Sequence, residues 1–325
     1  MSALRVGIIG GGGMGRAHLA AYKKNRDTHP LWVADQMADR ATAVAAEYGL
    51  DNSGEDYHQL LEEAPVDVVS ICLPTGVHAE AVEAAAAAGA HIMLEKPIAL
   101  TLADADRVIA AVERAGVKLM LAYFRRFDAG WLAMRELVMN GDLGRPVVQH
   151  SSRMRGVPTG RPWVLDPVLG GGYLLEAGNH HLDFARWVWG DPVSVEAVVD
   201  RMAPDTRVPD TLHAVLAFAG GARLVLNWCF GGPAEIDVYH QVEWVIGPDG
   251  MLQLHPVFGP VQYYPREGQP VELAGDAPDP YELEINHFVQ CLLDDRPPDV
   301  TGEDGRKALE MHLAILRAGG EAAAE

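Results

Sequence analysis

The sequence predicts an α/β protein with a doubly wound parallel sheet in residues 1–122 and a second α/β domain, built on a largely antiparallel open sheet, in residues 123–325. Three observations support this prediction. Apolar strand-like runs alternate with helical stretches up to residue 122, a glycine-rich turn follows the first run, and after residue 123 several strand-like runs follow one another directly. A chain of 325 residues is long enough for two cores.

The first domain is expected to alternate strand and helix from its start. Leu4–Ile9 is a short apolar run typical of a buried strand, and Leu31–Asp35 is the next. Such alternation implies parallel strands joined by right-handed crossovers. Later strands are expected at Val66–Cys72, His91–Leu94 and Lys118–Ala122, with helices at Met14–Lys24, Asp39–Tyr48, Tyr57–Glu63, His78–Ala88 and from the cap Thr101 to Ala115.

The second domain is expected to carry consecutive strands, with Gly220-Gly221 and Pro248-Asp-Gly250 as hairpin turns. Apolar side chains alternate onto both faces of Ala222–Phe230, so helices should cover one face of the sheet and a second subunit the other. The C-terminal helix is a candidate to pack back on the first domain. The strands are expected at Val147–Met154, Val193–Arg201, Thr211–Ala219, Ala222–Phe230, Val238–Ile246 and Met251–His255, and the helices at Asp128–Asn140, Leu175–Trp189, Tyr281–Leu293 and Glu303–Arg317.

Composition limits the partners. The formal net charge of −19 argues against nucleic acid and anionic membrane surfaces, because phosphate binding requires a basic surface. Cys72, Cys229 and Cys291 form no Cys-x-x-Cys pair, which fits a reducing compartment. No apolar run approaches the length of a membrane span, and the first strand begins too early for a signal peptide, so a cytoplasmic protein is expected.

The turn after the first strand has glycines at the spacing Gly-x-Gly-x-x-Gly, namely Gly10, Gly12 and Gly15. The first glycine makes the tight turn, the second lets the backbone approach a pyrophosphate, and the third lets the next helix pack on the strand. The helix that begins near Met14 would direct its first N–H groups at the phosphates. The order of strand, glycines, helix and second strand predicts a nicotinamide dinucleotide site.

Asp35 ends the second strand, where a carboxylate can bind the 2′-hydroxyl of the adenosine ribose. The same carboxylate would repel the 2′-phosphate of NADP, and Gln36 rather than a basic residue follows it. Arg40 is the nearest arginine after the strand and is expected in the next helix. The sequence therefore predicts NAD, with NADP as the less favoured cofactor.

Four motifs further along the chain point to a family. They are Pro74-Thr-Gly-Val-His78, Glu95-Lys96-Pro97, Arg125-Arg-Phe127 and Gly170–Asp183. In this order they resemble the Gfo/Idh/MocA oxidoreductases, the glucose–fructose oxidoreductase and inositol dehydrogenase family, over nearly the whole chain. The resemblance implies a Rossmann domain followed by a C-terminal α/β domain with an open sheet. It also implies NAD(P)-dependent hydride transfer on sugars, inositols and their relatives, and a homodimer or homotetramer.

The resemblance assigns the chemistry to two residues. Lys96 corresponds to the family's catalytic lysine, whose ammonium hydrogen-bonds the reacting substrate oxygen, and His180 corresponds to its catalytic histidine, which moves a proton at neutral pH. The resemblance also implies a cis peptide between Lys96 and Pro97. Because the two residues belong to different domains, the reacting carbon is expected in the cleft between them.

Glu176 lies one helical turn before His180 on the same helix face. Relatives commonly carry Asp there, and the extra methylene leaves three roles open: Glu176 orients His180, contacts the substrate, or marks a divergent subgroup. Glu176, His180 and Asp183 also suit a metal ion. The surrounding motifs favour metal-free chemistry, and Asp183 is expected to be structural, paired with Arg186 or a backbone group.

The remaining candidates come from the carboxyl ends of strands and from the motifs. The expected cofactor contacts are Gly10, Gly12, Gly13, Met14, Gly15, Asp35, Leu73, Pro74, Thr75, His78, Glu95, Lys96 and Arg125. The expected substrate contacts are Lys96, Tyr123, Arg153, Arg155, Trp163, Glu176, Asn179 and His180.

Three functions fit these residues. The leading interpretation is an NAD-dependent dehydrogenase that acts on a secondary hydroxyl of a sugar, a sugar derivative or an inositol-type polyol. The alternative is a glycoside-cleaving enzyme that holds NAD tightly for transient sugar oxidation. A non-catalytic NAD-sensing protein is the third, against which Lys96 and His180 argue, because a sensor needs neither.

Overall fold

A computed structural model describes residues 3–145, 147–157, 160–232, 240–254 and 260–321. Over these ranges the helices are α1 (Gly13–Lys24), α2 (Ala38–Tyr48), α3 (Tyr57–Glu63), α4 (His78–Ala87), α5 (Leu102–Ala115), α6 (Ala129–Asn140), α7 (Tyr173–Trp189), α8 (Pro280–Leu293) and α9 (Gly302–Ala318). The strands are β1 (Leu4–Ile9), β2 (Thr28–Ala34), β3 (Asn52–Gly54), β4 (Val68–Ile71), β5 (His91–Leu94), β6 (Leu119–Leu121), β7 (Val148–Gly156), β8 (Pro192–Asp200), β9 (Thr211–Phe218), β10 (Arg223–Gly232), β11 (His240–Ile246), β12 (Gly250–Leu254), β13 (Val261–Pro265) and β14 (Val271–Leu273). None of the described helices has both the length and the apolar character that crossing a membrane requires.

The chain divides into two compact units. The first holds Met1–Phe124 and Asp279–Arg306, and the second holds Arg125–Pro278 and Lys307–Glu325. Helix α8 thus belongs to the first unit although it follows the second sheet in sequence, and it packs along α1. Asn25 at the end of α1 donates to the Asn286 side chain of α8 at 2.7 Å.

The first unit is built on a six-stranded parallel sheet with the order β3-β2-β1-β4-β5-β6. Strand β1 lies at the centre, where Val6, Ile8 and Ile9 are buried, because a strand covered on both faces must be apolar on both. Strand order reverses between β1 and β4, and ligands of open α/β sheets bind outside the carboxyl ends of the strands at such a reversal. The predicted doubly wound parallel sheet is confirmed.

The second unit is built on an eight-stranded sheet with the order β14-β13-β12-β11-β7-β10-β9-β8. The pairs are antiparallel except for β7 and β10, which run parallel. The predicted largely antiparallel sheet is therefore confirmed. Helix α7 covers one of its faces, and Leu224, Leu226 and Trp228 of β10 are buried there with Leu174 and Leu182 of α7.

Three short strands are absent from the sequence-based prediction, namely β3, β13 and β14. They have three to five residues and lie at or next to a sheet edge, so pairing with a neighbour defines them rather than a local pattern. Two predicted strands, Val238–Ile246 and Met251–His255, extend into residues 238–239 and 255, which lie outside the described residues. Strands β11 and β12 account for the remainder of both.

A buried ion pair holds α7 to the segment that precedes α6. The Arg126 guanidinium donates to both carboxylate oxygens of Asp183, at 2.9 and 2.5 Å, and both side chains are almost wholly buried. Asp183 thus has a structural role, and Arg186 donates to Asp191 at 2.8 Å. A two-bond geometry of this kind fixes orientation as well as distance.

Helix α7 also approaches β10 closely at Gly178. A Cβ at this position would lie 2.3 Å from the Trp228 ring, which is itself fully buried. The absence of a side chain at Gly178 therefore sets the distance between α7 and the sheet.

We expect Gly178→Ala to destabilise the protein. Alanine favours helix by about 1 kcal/mol, but overpacking against a buried ring costs about 1–3 kcal/mol, and the 2.3 Å approach places this site at the upper end of that range. The free energy of unfolding, measured by urea denaturation, should fall by about 1–2 kcal/mol. Gly220→Ala is the control, because a Cβ at Gly220 meets nothing within 4 Å; equal stability of the two variants would contradict the close-packing argument.

Candidate functional site

The glycine turn after β1 is shaped by contacts that exclude side chains. Gly10 has a φ of 103°, and a Cβ there would lie 2.4 Å from the carbonyl oxygen of Cys72. A Cβ at Gly15 would lie 1.8 Å from the carbonyl oxygen of Gly10. Only glycine fits these two positions, as the sequence pattern predicts.

The start of helix α1 is open. Gly12 is the N-cap residue, and no side chain caps the helix there. A Cβ at Gly12 or Gly13 would meet nothing within 4 Å, and Met14 in the first turn is half-buried. The first N–H groups of a helix attract anions, so this end of α1 suits a phosphate.

Asp35 follows β2 and is almost fully buried. Its carboxylate accepts from the backbone N–H groups of Gly11 (2.8 Å) and Met37 (2.9 Å). It also accepts two bonds from the Arg40 guanidinium, each 2.7 Å long. Burial opposes its ionisation, but the bonds from Arg40 and the backbone hold the pKa of Asp35 below its usual value.

His78 joins the loops after β4 and β5. It begins α4, after a short 3-10 helix over Thr75–Val77, and is fully buried. Its ring nitrogens lie 2.9 Å from the carbonyl oxygens of Leu73 and Pro97. The Lys96–Pro97 peptide is cis, as the resemblance implies. His78 thus holds the residue after Lys96 to the loop that contains Leu73 and Pro74.

Glu95 of the Glu95-Lys96-Pro97 motif belongs to a buried polar cluster with His18 and Ser70, two residues that no motif contains. One Glu95 oxygen accepts from the backbone N–H of Lys96 at 3.2 Å, and the other lies 3.2 Å from Nε2 of His18 in α1. The opposite ring nitrogen of His18 lies 3.0 Å from the Ser70 hydroxyl. Burial opposes a charge on His18, but Cys72 and Glu95 outweigh it and hold the His18 pKa well above its usual value.

In the second unit, α7 carries Glu176 and His180 on one face, where both are largely buried. Arg161, which lies just before a short 3-10 helix, donates to Glu176 at 2.9 Å. The same guanidinium lies over the Tyr173 ring, with its central carbon 5.8 Å from the ring centre. Glu176 therefore has a cationic partner of its own.

His181, which follows His180 in α7, faces the second sheet and is fully buried. Its Nε2 lies 2.9 Å from an Arg125 nitrogen, and its Nδ1 lies 3.0 Å from a Glu243 oxygen and 3.2 Å from the Ser151 hydroxyl. Because arginine can only donate, Nε2 must accept and the proton of the neutral ring resides on Nδ1. Burial raises the pKa of Glu243 to about 7 and, with Arg125, lowers the pKa of His181 well below its usual value.

The other candidate residues of the second unit lie on α7, on β7, in the segment before α6 and in the short 3-10 helix before α7. Arg125 lies over the Trp131 ring at 4.5 Å, and Arg153 in β7 donates to the carbonyl oxygen of Ala177 at 3.1 Å. Asn179 is fully buried and Arg155 is half-buried. Trp163 is half-buried in the 3-10 helix over Pro162–Leu165. The remaining candidate, Tyr123, belongs to the first unit instead and is fully buried there.

Comparison with protein families agrees with this geometry. Residues 4–123 match the family described as "Oxidoreductase family, NAD-binding Rossmann fold", and residues 131–253 match the Gfo/Idh/MocA C-terminal domain. The chain belongs to the Gfo/Idh/MocA oxidoreductases. The family suggested by the four sequence motifs is thus confirmed.

Individual relatives cover nearly the whole chain. It is similar to a myo-inositol 2-dehydrogenase of Thermotoga maritima, at 30% identity over 97% of this chain and 96% of the relative. It is also similar to a D-xylose 1-dehydrogenase (NADP(+)) of Haloferax volcanii, at 30% identity over 96% and 94%. The crystal structure of an aldose-aldose oxidoreductase of Caulobacter crescentus, complexed with glycerol, matches with a TM-score of 0.87 and 27% identity over 98% of both chains.

The Gfo/Idh/MocA Rossmann unit fits a nicotinamide dinucleotide. The open space beyond Gly12 and Gly13 leaves the backbone of the turn approachable, and the uncapped start of α1 suits a pyrophosphate. Asp35 follows the strand at which Rossmann sites hold the adenosine ribose. Within the described residues, no group of three or more His, Cys, Asp or Glu side chains has an arrangement that could hold a metal ion.

Sequence reasoning missed four residues that contact the predicted ones: His18, Arg161 and Glu243, together with the Ser151 hydroxyl. Each is at least 15 residues along the chain from its partner. Arg161 stands in a motif with Trp163 that could have singled it out. Nothing in the sequence singled out His18 or Glu243. A single polar residue on a buried face does not indicate which distant residue it will contact.

The Glu243 pKa predicts a pH effect on stability. Between its usual value of 4.5 and about 7, Glu243 keeps a proton in the folded chain that the unfolded chain releases, so its contribution to stability falls as pH rises through this window. Glu243→Gln removes this titration. The unfolding free energy of the natural protein, relative to the variant, should fall by roughly 3 kcal/mol between about pH 5 and 8.

Glu267→Gln is the matched control, because Glu267 is exposed just after β13 of the same sheet. Its difference from the natural protein should not change with pH. A pH-independent difference for Glu243→Gln would show that Glu243 is ionised throughout.

Proposed function

We propose that the chain is an NAD-dependent dehydrogenase that oxidises a secondary hydroxyl of a sugar, a sugar derivative or an inositol-type polyol by hydride transfer. The observation that carries the proposal lies within the Rossmann unit. The dinucleotide turn after β1 and Lys96 after β5 are at the carboxyl edge of one parallel sheet, the edge at which such sheets bind ligands. The names of the relatives support the substrate class.

The proposed mechanism uses catalytic residues from both units. The chemistry that bound NAD supplies is acceptance of the hydride from the carbon that bears the hydroxyl. The Lys96 ammonium donates a hydrogen bond to the oxygen on that carbon, and the His180 imidazole takes the hydroxyl proton as the carbonyl forms. In the reverse direction His180 returns the proton. In this proposal side chains hold the oxygen and move the proton, so the mechanism needs no metal.

The proposed cofactor contacts are those of the Rossmann turn. Gly10, Gly12 and Gly15 shape the pyrophosphate site, and Asp35 receives the adenosine ribose of NAD. Glu95 fixes the backbone of Lys96 at 3.2 Å and is itself fixed by His18. The position of the Lys96 backbone therefore depends on a buried pair that does not touch the substrate.

Glu176 is proposed to line the substrate site one turn before His180. Its ion pair with Arg161 is a reason to assign it a role apart from orienting His180 alone. Together Glu176 and Arg161 offer both an acceptor and donors, which suits a polyhydroxylated substrate.

Replacing either proton-handling residue should remove catalysis and preserve cofactor binding. General acid–base groups contribute about 100- to 10,000-fold, so Lys96→Ala and His180→Ala should each lower kcat by that factor. NAD binding, measured by calorimetry, should stay close to that of the natural protein. Lys23→Ala and His29→Ala are controls, because both residues are exposed in the first unit; full turnover by folded Lys96→Ala protein would contradict the assignment.

We further propose a homodimer or homotetramer that is joined through the second sheet. The face turned away from α7 carries the exposed side chains Met154, Val198, Val215 and Ile246, which are 39–65% exposed, and Val225 lies among them, paired with Val215. Apolar groups aligned on one sheet face mark an interaction surface. The resemblance to the family supports a second copy of the chain as the partner.

This surface predicts the oligomeric state. Light scattering at micromolar concentration should give the mass of a dimer or tetramer for the natural protein, and Val215→Glu with Ile246→Glu should give a monomer, because two charges would be buried without partners. Met139→Glu is the control, since Met139 is also an exposed apolar residue but lies on α6. A monomeric mass for the natural protein would refute the proposal.

A further inference from the structure

The Asp35 carboxylate has no spare acceptor site. A carboxylate offers about four lone-pair positions, and Asp35 accepts four hydrogen bonds. One oxygen accepts from Gly11 N–H and Arg40 Nε, and the other accepts from Met37 N–H and an Arg40 terminal nitrogen. A ribose hydroxyl that donates to Asp35 must therefore replace one of these donors.

Arg40 is the donor that can leave. The Gly11 and Met37 N–H groups belong to the backbone of the glycine turn and of the start of α2, which are fixed by the fold. The Arg40 side chain is 38% exposed, whereas the Asp35 side chain is only 4% exposed. Water can hydrate the Arg40 guanidinium once it leaves Asp35, and the two backbone N–H groups continue to donate to the carboxylate.

The ion pair is not required for the fold. Pairs that involve an exposed partner contribute little to stability, and the backbone already provides Asp35 with two donors. The larger effect of Arg40 is on ligands that come to the same carboxylate. A guanidinium exchanges readily between carboxylate and phosphate, because its planar donors match both in a two-bond geometry.

We infer that Arg40 determines the choice between NAD and NADP by competing for Asp35. In this arrangement Arg40 occupies the acceptor sites that the 2′-hydroxyl of NAD needs, and it offers a guanidinium to the 2′-phosphate of NADP. The phosphate of NADP releases Arg40 from Asp35 and pairs with it, which offsets the repulsion from the carboxylate. The chain therefore binds both cofactors, with a preference for NAD that is smaller than Asp35 alone would give.

This inference rests on the proposed dinucleotide site. It predicts that loss of Arg40 changes the affinities for NAD and NADP in opposite directions. Removing Arg40 should favour NAD, because the competitor for Asp35 is gone. The same change should weaken NADP, because the partner of the 2′-phosphate is lost. A residue that only stabilised the loop would change both affinities in the same direction.

Calorimetric titration of NAD and NADP into the natural protein, Arg40→Ala and Arg40→Lys tests this without an activity assay. For Arg40→Ala we expect NAD to bind about 2- to 5-fold more tightly, the size of a partly exposed ion pair, and NADP to bind about 10-fold or more weakly, the size of a charge-assisted bond. Arg40→Lys keeps the charge without the two-bond geometry and should lie between. Arg107→Ala is the control, because it removes a two-bond arginine–carboxylate pair with Glu83 in the same unit.

The outcomes separate the two claims. If the natural protein binds neither NAD nor NADP, the proposed function fails. If it binds NAD but Arg40→Ala leaves the ratio of the two affinities unchanged, or weakens both cofactors alike, Arg40 does not compete and the inference is overturned while the proposed function stands. A rise in the preference for NAD in Arg40→Ala, absent in Arg107→Ala, supports it.

Discussion

Helix α1 meets the turn after β1 with no room for a side chain between them, and the cofactor side of the Rossmann unit depends on this contact. A Cβ at Gly15 would lie 1.8 Å from the Gly10 carbonyl oxygen. The close approach directs the start of α1 at the turn and brings Gly11 N–H to Asp35. One turn along the helix it also places His18 against Glu95, which holds the backbone of Lys96. A single steric constraint thus links the phosphate site to the proposed catalytic lysine.

Polar pairs position the proposed site residues in both units. Asp35 is held by Arg40, Glu176 by Arg161, and His181 by Glu243 and Arg125. The His181–Glu243 pair is buried on both sides, so leaving one of its partners alone in the interior is costly. Arg40 and Arg161 are partly exposed, so water can replace them at a smaller cost. The partner of a site residue is therefore expected to affect function, and Arg40 is proposed to meet the 2′-phosphate of NADP.

The sequence predicted those features that depend on residues close together in the chain. The turn through Gly10 and Gly15 and the carboxylate of Asp35 were identified because spacing within one βαβ unit defines them. Edge strands such as Asn52–Gly54, and the parallel pairing of β7 with β10, could not be predicted, since neighbouring strands determine them. The site shows the same limit. Residue types in motifs indicated Lys96 and His180, whereas contacts between distant parts of the chain determine the partners of Glu95 and His181.

The most direct test of the dehydrogenase proposal is to measure NADH formation by the purified protein with inositols, aldoses and their glycosides, while the sugar products are identified by mass spectrometry. We predict that at least one free polyol or sugar yields NADH in a one-to-one ratio with its carbonyl product. Cleavage of a glycoside without accumulation of NADH would contradict the account and favour transient oxidation with retained cofactor. Tight NAD binding with no reduction by any member of the panel would likewise contradict it.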